Sequence, residues 1–142
     1  MTTDGRRRSL LRLAIVPAFV SIPAPAAPAD PATARFAARA LALRDEAIRR
    51  GDQPYGAVVV LDGRIVGEGV SAVITRGDPD AHAERVALRD ALLRTGRPTL
   101  DGALLFGSSR ACGLCEAAAH RSRVARMFHG IDAIDDGPPR SP

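Results

Sequence analysis

The sequence has 142 residues, of which 46% are hydrophobic and 25% are charged, and this length and composition predict one soluble globular domain with a hydrophobic core. The calculated pI of about 10.3 favours a nucleic-acid partner at first sight. However, residues 1–29 contain four arginines and one aspartate, which gives them a net charge of +3. This leaves +1 of the total +4 for residues 30–142. The main body of the chain is therefore nearly neutral, and its charge argues against a polyanion partner.

Residues 1–29 are typical of an export signal. They contain a basic segment, RRRSLLR, then a short apolar run and a small-residue exit, PAPAAPAD. The apolar run is shorter than the roughly 20 residues that a membrane span requires, so we expect no membrane association after cleavage before Asp30. The adjacent Arg7 and Arg8 resemble a twin-arginine signal, which predicts an exported protein, periplasmic or secreted, that folds before export. The alternative is a disordered basic tail on a cytoplasmic protein.

After the leader, capping and turn residues predict a helix and a hairpin. An aspartate–proline pair at 30–31 is typical of a helix start, and Gly51 is typical of a helix end. One apolar stripe between them has helical spacing: Phe36, Ala40, Leu43 and Ala47. The turn Asp62-Gly63 joins two β-rich runs as a tight hairpin. The predicted strands are Tyr55–Leu61 and Arg64–Val70.

The second half of the chain alternates helices and strands. The predicted elements are a helix over Ala81–Thr95 closed by Gly96, a strand over Ala103–Phe106, a helix over Cys112–Ser122 and a strand over Val124–Phe128. This alternation implies a sheet with helices on both faces and parallel, right-handed crossovers. The predicted fold is therefore of the α/β class, a three-layer α/β/α sandwich around a mixed sheet, with its domain over residues 30–130. The acidic, proline-rich residues 131–142 are expected to form a loose tail.

Four side chains at two helix starts form the candidate site. His82 begins one helix, and Cys112 and Cys115 share a face at the start of the next. Successive helix starts meet at one edge of such a sheet, so these three side chains can bind zinc and leave the fourth tetrahedral position to water. Glu84 lies two residues from His82, and we expect it to reach that water as a proton shuttle. The predicted cofactor is Zn²⁺, and the predicted chemistry is hydrolytic deamination.

The motif HAE at 82–84, with CGLC at 112–115, resembles the zinc-binding pattern of the cytidine and deoxycytidylate deaminase superfamily. Three further segments resemble the branch that contains bacterial guanine deaminases and tRNA adenosine deaminases: QPYGAVVVLDGRIVGEGV, DPDAHAE and SRVARMFHG. The similarity covers about Phe36 to Gly130. It implies a cytidine deaminase-like fold that is short at the C-terminus. It also implies zinc-dependent hydrolysis of a cyclic amidine in a small guanine- or cytosine-type base or nucleoside. A homodimer is also implied, because the family is commonly dimeric or larger.

The resemblance also implies substrate contacts. It places Tyr55 at the pocket wall, and it makes Ala83 and Ser71 candidate substrate-binding residues, with Ser71 standing where this branch usually has an asparagine. Two further departures from the family pattern are visible. Arg110 and Ala111 stand where the family usually has Glu-Pro, and few residues follow the last predicted strand. These departures leave the identity of the base open.

Other interpretations of the same residues remain open. A Cys-x-x-Cys motif in an exported protein can be a disulfide or redox pair, and Tyr55 can serve strand packing alone. A structural zinc site needs a fourth protein ligand, but His120 lies roughly 12 Å along its helix from the helix start, and we expect His129 at the opposite edge of the sheet. For the whole protein, the alternatives are a non-catalytic zinc-binding deaminase-like protein and a tRNA adenosine deaminase. The export signal and the nearly neutral body argue against the latter.

Overall fold

The structure is a computed structural model that describes residues 30–141. The predicted export signal, residues 1–29, therefore lies outside the described residues. No helix in the described part of the chain has the length and apolar character needed to cross a membrane. The elements, in chain order, are α1 (Pro31–Arg49), β1 (Gly56–Leu61), β2 (Arg64–Val70), α2 (Ala83–Thr95), β3 (Leu104–Gly107), α3 (Gly113–Arg121), β4 (Arg126–His129) and β5 (Ile134–Gly137).

The sheet is mixed, and its strand order is β2-β1-β3-β4-β5. Strand β1 is antiparallel to both β2 and β3, whereas β3 and β4 are parallel. Strands β2 and β3 therefore run in the same direction, so both helical crossovers connect parallel strands, as predicted. Asp62 and Gly63 have positive φ values of 50° and 72°, which is the conformation of the tight turn that joins β1 to β2.

Helices cover both faces of the sheet, which confirms the predicted three-layer architecture. Helix α1 covers one face, and its buried cluster comprises Phe36, Leu43, Val58, Val60 and Phe106. Helices α2 and α3 cover the other face, and the cluster there includes Ala57, Val59, Ala87, Leu105 and Ala119. Successive residues of a strand point to opposite faces, so β1, which is buried along its whole length, contributes to both clusters.

Two glycines on β2 allow α2 to lie close against the sheet. A Cβ atom placed on Gly69 would lie 1.9 Å from the carbonyl oxygen of Ala83, and one placed on Gly67 would lie 2.4 Å from that of Ala87. Both distances are far shorter than a van der Waals contact, so only glycine fits at these positions without movement of the helix. The glycines thereby fix the distance between β2 and the first two turns of α2.

The C-terminal residues depart from the expectation of a loose tail. Residues 134–137 form β5, which pairs antiparallel with β4 at the edge of the sheet. Its side chains are mostly exposed, so backbone pairing and ion pairs hold the strand instead of apolar packing. Asp135 accepts hydrogen bonds from Arg126 on β4, with a shortest ion-pair distance of 2.8 Å. An apolar alternation, on which strand prediction depends, is absent from this segment.

Candidate metal and active site

Two helix starts bring His82, Cys112 and Cys115 together. His82 immediately precedes α2, and Cys112 immediately precedes α3. The Nδ1 atom of His82 lies 3.6 Å from Sγ of Cys112 and 3.4 Å from Sγ of Cys115, and the two sulfur atoms are 3.2 Å apart. Zinc bonds of about 2.3 Å to sulfur and 2.0 Å to nitrogen place tetrahedral ligand atoms roughly 3.5–3.8 Å apart. The three donor atoms are therefore spaced closely enough to share one ion.

The chemistry of the two thiols also fits a bound cation. Both cysteines are free, so the structure does not contain the disulfide that the spacing alone allowed. Cys115 is fully buried, and burial, together with the negative charge of Glu84, raises the pKa of its thiol well above the usual range. A thiolate is unfavourable in such a place unless a cation compensates its charge. A zinc ion on the two sulfurs and the imidazole would supply that compensation.

Glu84 lies at the floor of the same site. It is the second residue of α2 and only 6% exposed, and its carboxyl group lies near the thiol of Cys115. Gly107 at the end of β3 has no side chain, and a Cβ atom there would lie 3.5 Å from Oε1 of Glu84. The glycine therefore leaves space beside the carboxyl group. Burial raises the pKa of Glu84. A raised pKa lets this carboxyl group hold a proton at a higher pH than an exposed glutamate does.

A pocket of about 390 Å³ opens above these side chains. This volume lies in the range of small-molecule sites, roughly 300–1,000 Å³. Two loops complete the lining: the α1–β1 loop contributes Gln53, Pro54 and Tyr55, and the β3–α3 loop contributes Ser109 and Arg110. Tyr55 is 40% exposed and lies at the wall, where the family resemblance implies that it should be. Its aromatic ring is available to a flat ligand.

The other two candidate substrate contacts, Ser71 and Ala83, lie outside the pocket lining. Ser71 is 1% exposed, and its hydroxyl group donates a hydrogen bond to Oδ1 of Asp52 at 2.8 Å. The residue Ala83 is fully buried at the start of α2. Neither side chain is therefore placed to contact a ligand in the pocket. The serine found in place of the expected asparagine has a structural partner instead.

Asp52 is a residue that sequence reasoning missed. Its carboxylate accepts hydrogen bonds from the backbone amides of Gln53, Ile74 and Thr75 and from the hydroxyl groups of Ser71 and Thr75. Burial opposes ionisation of the carboxyl group, but these bonds outweigh it and hold the pKa of Asp52 well below its usual range. The bonds connect the loop that carries Tyr55 to the loop that follows β2. Asp52 thus holds one wall of the pocket in place, and no local motif marks it.

The other two histidines do not join the metal group. Nδ1 of His120 lies 3.2 Å from the carbonyl oxygen of Pro139, and Nδ1 of His129 lies 2.8 Å from Oδ2 of Asp136. The expected position of His129 at the opposite edge is wrong, because the parallel register pairs it with Gly107 at the edge that carries the site. In the described part of the chain, the group of potential metal ligands comprises His82, Cys112 and Cys115.

Arg110 and Ala111, which replace the usual Glu-Pro, occupy different environments. Arg110 stands at the pocket rim with its side chain 66% exposed, and its Nε lies 3.7 Å from Oδ1 of Asp136 on β5. The partly buried Ala111 packs against the core cluster beneath α2 and α3. The replacement therefore removes no metal ligand, but it places a positive charge beside the pocket.

Comparison with known proteins agrees with this geometry. The model of the cytidine and deoxycytidylate deaminase zinc-binding region matches residues 31–131. Guanine deaminase of Bacillus subtilis is 38% identical over 101 residues, covering 70% of this chain and 65% of that protein. The tRNA-specific adenosine deaminase of Haemophilus influenzae is 39% identical over 99 residues, covering 69% of this chain and 57% of that protein. The chain thus spans 57–65% of the length of these curated relatives.

The solved structure of the Bacillus subtilis guanine deaminase has the same fold. It matches with a TM-score of 0.65 at 38% identity, covering 68% of this chain and 62% of that chain. The region matched by the family model includes the three potential metal ligands, Glu84 and the sheet from β1 to β4. The resemblance first visible in the HAE and CGLC motifs is confirmed, and the chain belongs to the cytidine and deoxycytidylate deaminase family.

Proposed function

We propose that this chain is a zinc-dependent hydrolytic deaminase that acts on a guanine- or cytosine-type base or nucleoside and releases ammonia. The observation that carries the proposal is the buried carboxyl group of Glu84, which lies beside a three-ligand group at the floor of one pocket. The names of the relatives, guanine deaminase and tRNA-specific adenosine deaminase, support deamination as the reaction type.

His82, Cys112 and Cys115 would hold the metal ion. One imidazole nitrogen and two thiolates are donors that zinc favours, and a set of three protein ligands is typical of catalytic sites, whereas structural sites have four. When bound at such a site, zinc supplies Lewis acidity and makes a water-derived nucleophile available near neutral pH.

Glu84 would move the proton. Water attacks the amidine carbon, and the carboxylate of Glu84 accepts the proton that the water loses. The same carboxyl group donates this proton to the ring nitrogen as the C=N bond opens. It then accepts the remaining proton of the new hydroxyl group and passes it to the amino nitrogen, so that the C–N bond breaks, ammonia leaves and the ring carbonyl forms. The wall formed by Gln53, Pro54 and Tyr55 would hold the ring flat above the floor, because Asp52 fixes the loop that carries it.

A tRNA adenosine deaminase is the second candidate, because the Haemophilus influenzae enzyme of that name is 39% identical. Binding to tRNA depends largely on cationic side chains that neutralise phosphates. The net charge of +1 on residues 30–142 provides little such attraction, so a small-molecule substrate is the better proposal.

The test compares the wild-type protein with Glu84→Gln and with the control Glu46→Gln. Glu46 lies on α1 and pairs with Arg50 on the surface, outside the pocket. We expect equal zinc in all three proteins by elemental analysis, because Glu84 is not a proposed ligand. Ammonia release from a panel of bases and nucleosides should fall by at least about 10²–10⁴-fold in Glu84→Gln alone.

Two outcomes would contradict the proposal. If Glu84→Gln released ammonia at the wild-type rate, the chemistry would lie elsewhere in the protein. If the wild-type protein bound zinc but released no ammonia from any base or nucleoside tried, the non-catalytic zinc-binding alternative would replace the proposed function.

A further inference from the structure

Arg110 is a feature of the pocket that the deamination chemistry does not use. Of the described arginines, it alone lines the pocket. Its side chain is 66% exposed, whereas Glu84 is 6% exposed. The guanidinium group therefore lies at the rim of the pocket, and the proton-transferring carboxyl group lies at the floor. A ligand that reaches from floor to rim would meet both groups.

The guanidinium of Arg110 is weakly paired within the described residues. Its distance of 3.7 Å to Asp136 is well beyond the 2.7–2.9 Å that is usual for a charge-assisted hydrogen bond. Asp136 makes its shorter contact, 2.8 Å, with His129. A second carboxylate near Arg110 is that of Glu116, which accepts three hydrogen bonds from Arg140 at 2.7–3.1 Å. Arg110 thus has no bidentate acidic partner among the described residues.

We propose that the substrate carries an anionic group, a phosphate or a carboxylate, and that Arg110 binds this group at the rim while the amidine lies beside Glu84. This inference rests on the proposed deaminase function. The planar guanidinium forms paired hydrogen bonds with either type of anion. The pocket of about 390 Å³ is of a size that admits a base together with a substituent. The N-termini of α2 and α3 lie at the floor, and their positive partial charge also favours an anionic ligand in the pocket.

The test measures the preference for anionic over neutral substrates. Matched pairs are guanosine and its 5′-monophosphate, cytidine and its 5′-monophosphate, and cytosine with and without a ring carboxylate. The wild-type protein should show a higher kcat/KM for the anionic member of at least one pair. Arg110→Gln should lower this ratio by about 10- to 100-fold, as expected for loss of a hydrogen bond between charged groups, and Arg110→Glu should lower it further. The pair that responds identifies the anion as phosphate or carboxylate.

Arg94→Gln is the matched control. Arg94 is also an exposed arginine with a long ion pair, 3.3 Å to Asp90, but it lies at the far end of α2, roughly 18 Å from His82. The ratio should be unchanged in this variant. Added salt should reduce the wild-type ratio and have little effect on that of Arg110→Gln. An equal ratio in wild type and Arg110→Gln, or a wild-type preference for the neutral member of every pair, would overturn the inference.

Product binding separates this inference from the proposed function. Calorimetry compares the affinities of the wild-type protein and of Arg110→Gln for xanthosine, uridine and their 5′-monophosphates, and for uracil with and without a ring carboxylate. Tighter binding of the anionic products that is lost in Arg110→Gln supports the rim site, even if no ammonia release is detected and the proposed function fails. Equal affinities for charged and neutral products in the wild-type protein would overturn the rim site, even if neutral substrates are deaminated.

Discussion

Replacing Gly69 with alanine tests whether the spacing between β2 and α2 sets the geometry of the site. A Cβ atom at this position would lie 1.9 Å from the carbonyl oxygen of Ala83, whereas real Cβ atoms essentially never approach closer than 3.0 Å. The start of α2 must therefore move by about 1 Å or more. Ala83 lies between His82 and Glu84 in the chain, so this movement displaces one proposed metal ligand and the proposed proton-transferring group together.

The expected magnitude follows from this displacement. Overpacking typically costs about 1–3 kcal/mol of stability, which lowers Tm by roughly 4 °C or more for each kcal/mol in a domain of this size. A misplacement of about 1 Å costs on the order of 10²-fold in rate. The φ angle of Gly69 is not in the positive region, so the effect comes from space and not from backbone strain. We expect Gly69→Ala to lose about 100-fold in ammonia release and to bind zinc more weakly.

Gly67→Ala is the matched control on the same strand. Its Cβ atom would lie 2.4 Å from the carbonyl oxygen of Ala87 and 2.6 Å from Cβ of Ala91, which is one helical turn farther from His82. It should lower Tm by a similar amount but retain more zinc and activity. The assays are thermal melts, elemental zinc analysis and ammonia release at equal folded fraction. If both variants lost zinc and activity to the same extent at equal stability, the reasoning would be refuted.

Three other predictions concern the metal group, the C-terminal ion pair and the leader. Cys115→Ser should lower both zinc content and Tm, because metal binding contributes to folding free energy, and full zinc occupancy in this variant would contradict the assigned ligand. Arg140 lowers the pKa of Glu116 to about 2, from an ordinary value of 4.5, so the carboxylate stabilises the fold fully above pH 4.5 and this contribution is lost as the pH falls through 2. Urea melts of metal-free wild type and Glu116→Gln should therefore differ near pH 6 and converge near pH 2, and a pH-independent difference would exclude this linkage. Replacing both Arg7 and Arg8 with lysine should remove the mature protein from the exported fraction, whereas unchanged export would rule out a twin-arginine signal.

The central elements of the fold were predictable because their signals are local. The Asp62-Gly63 turn adopts the positive φ values that its residue types favour, and Gly96 ends α2 in the left-handed conformation typical of a helix end. The apolar run of β1 is buried throughout. Strand β5 was not predictable in the same way, because its residues have no apolar alternation. Its pairing depends on β4, which only the complete sheet brings alongside.

The site residues also differ in whether local sequence signals predict their positions. The proximity of His82, Cys112 and Cys115 was predictable, because each of the two helices follows a strand of the sheet and parallel crossovers bring the starts of such helices together. Asp52 was not, because its partners lie in a loop more than twenty residues away, and a single aspartate after a helix has no distinctive pattern. The environment of Ser71 was not predictable either, because resemblance to a family position does not show that the carboxylate of Asp52 accepts a hydrogen bond from its hydroxyl group.

Strand β5 also determines how the sheet meets its surroundings. It is the last strand in the sheet order, and the outer side of such a strand is a template on which strands from other molecules can add. Here Asp135 and Asp136 place two carboxylates on a strand of only four residues, and Pro138 and Pro139 follow directly without amide hydrogens to donate. An added strand would have to desolvate the partly exposed carboxylate of Asp135 for few backbone hydrogen bonds in return. This edge of the described sheet is therefore a poor template for strands from other molecules.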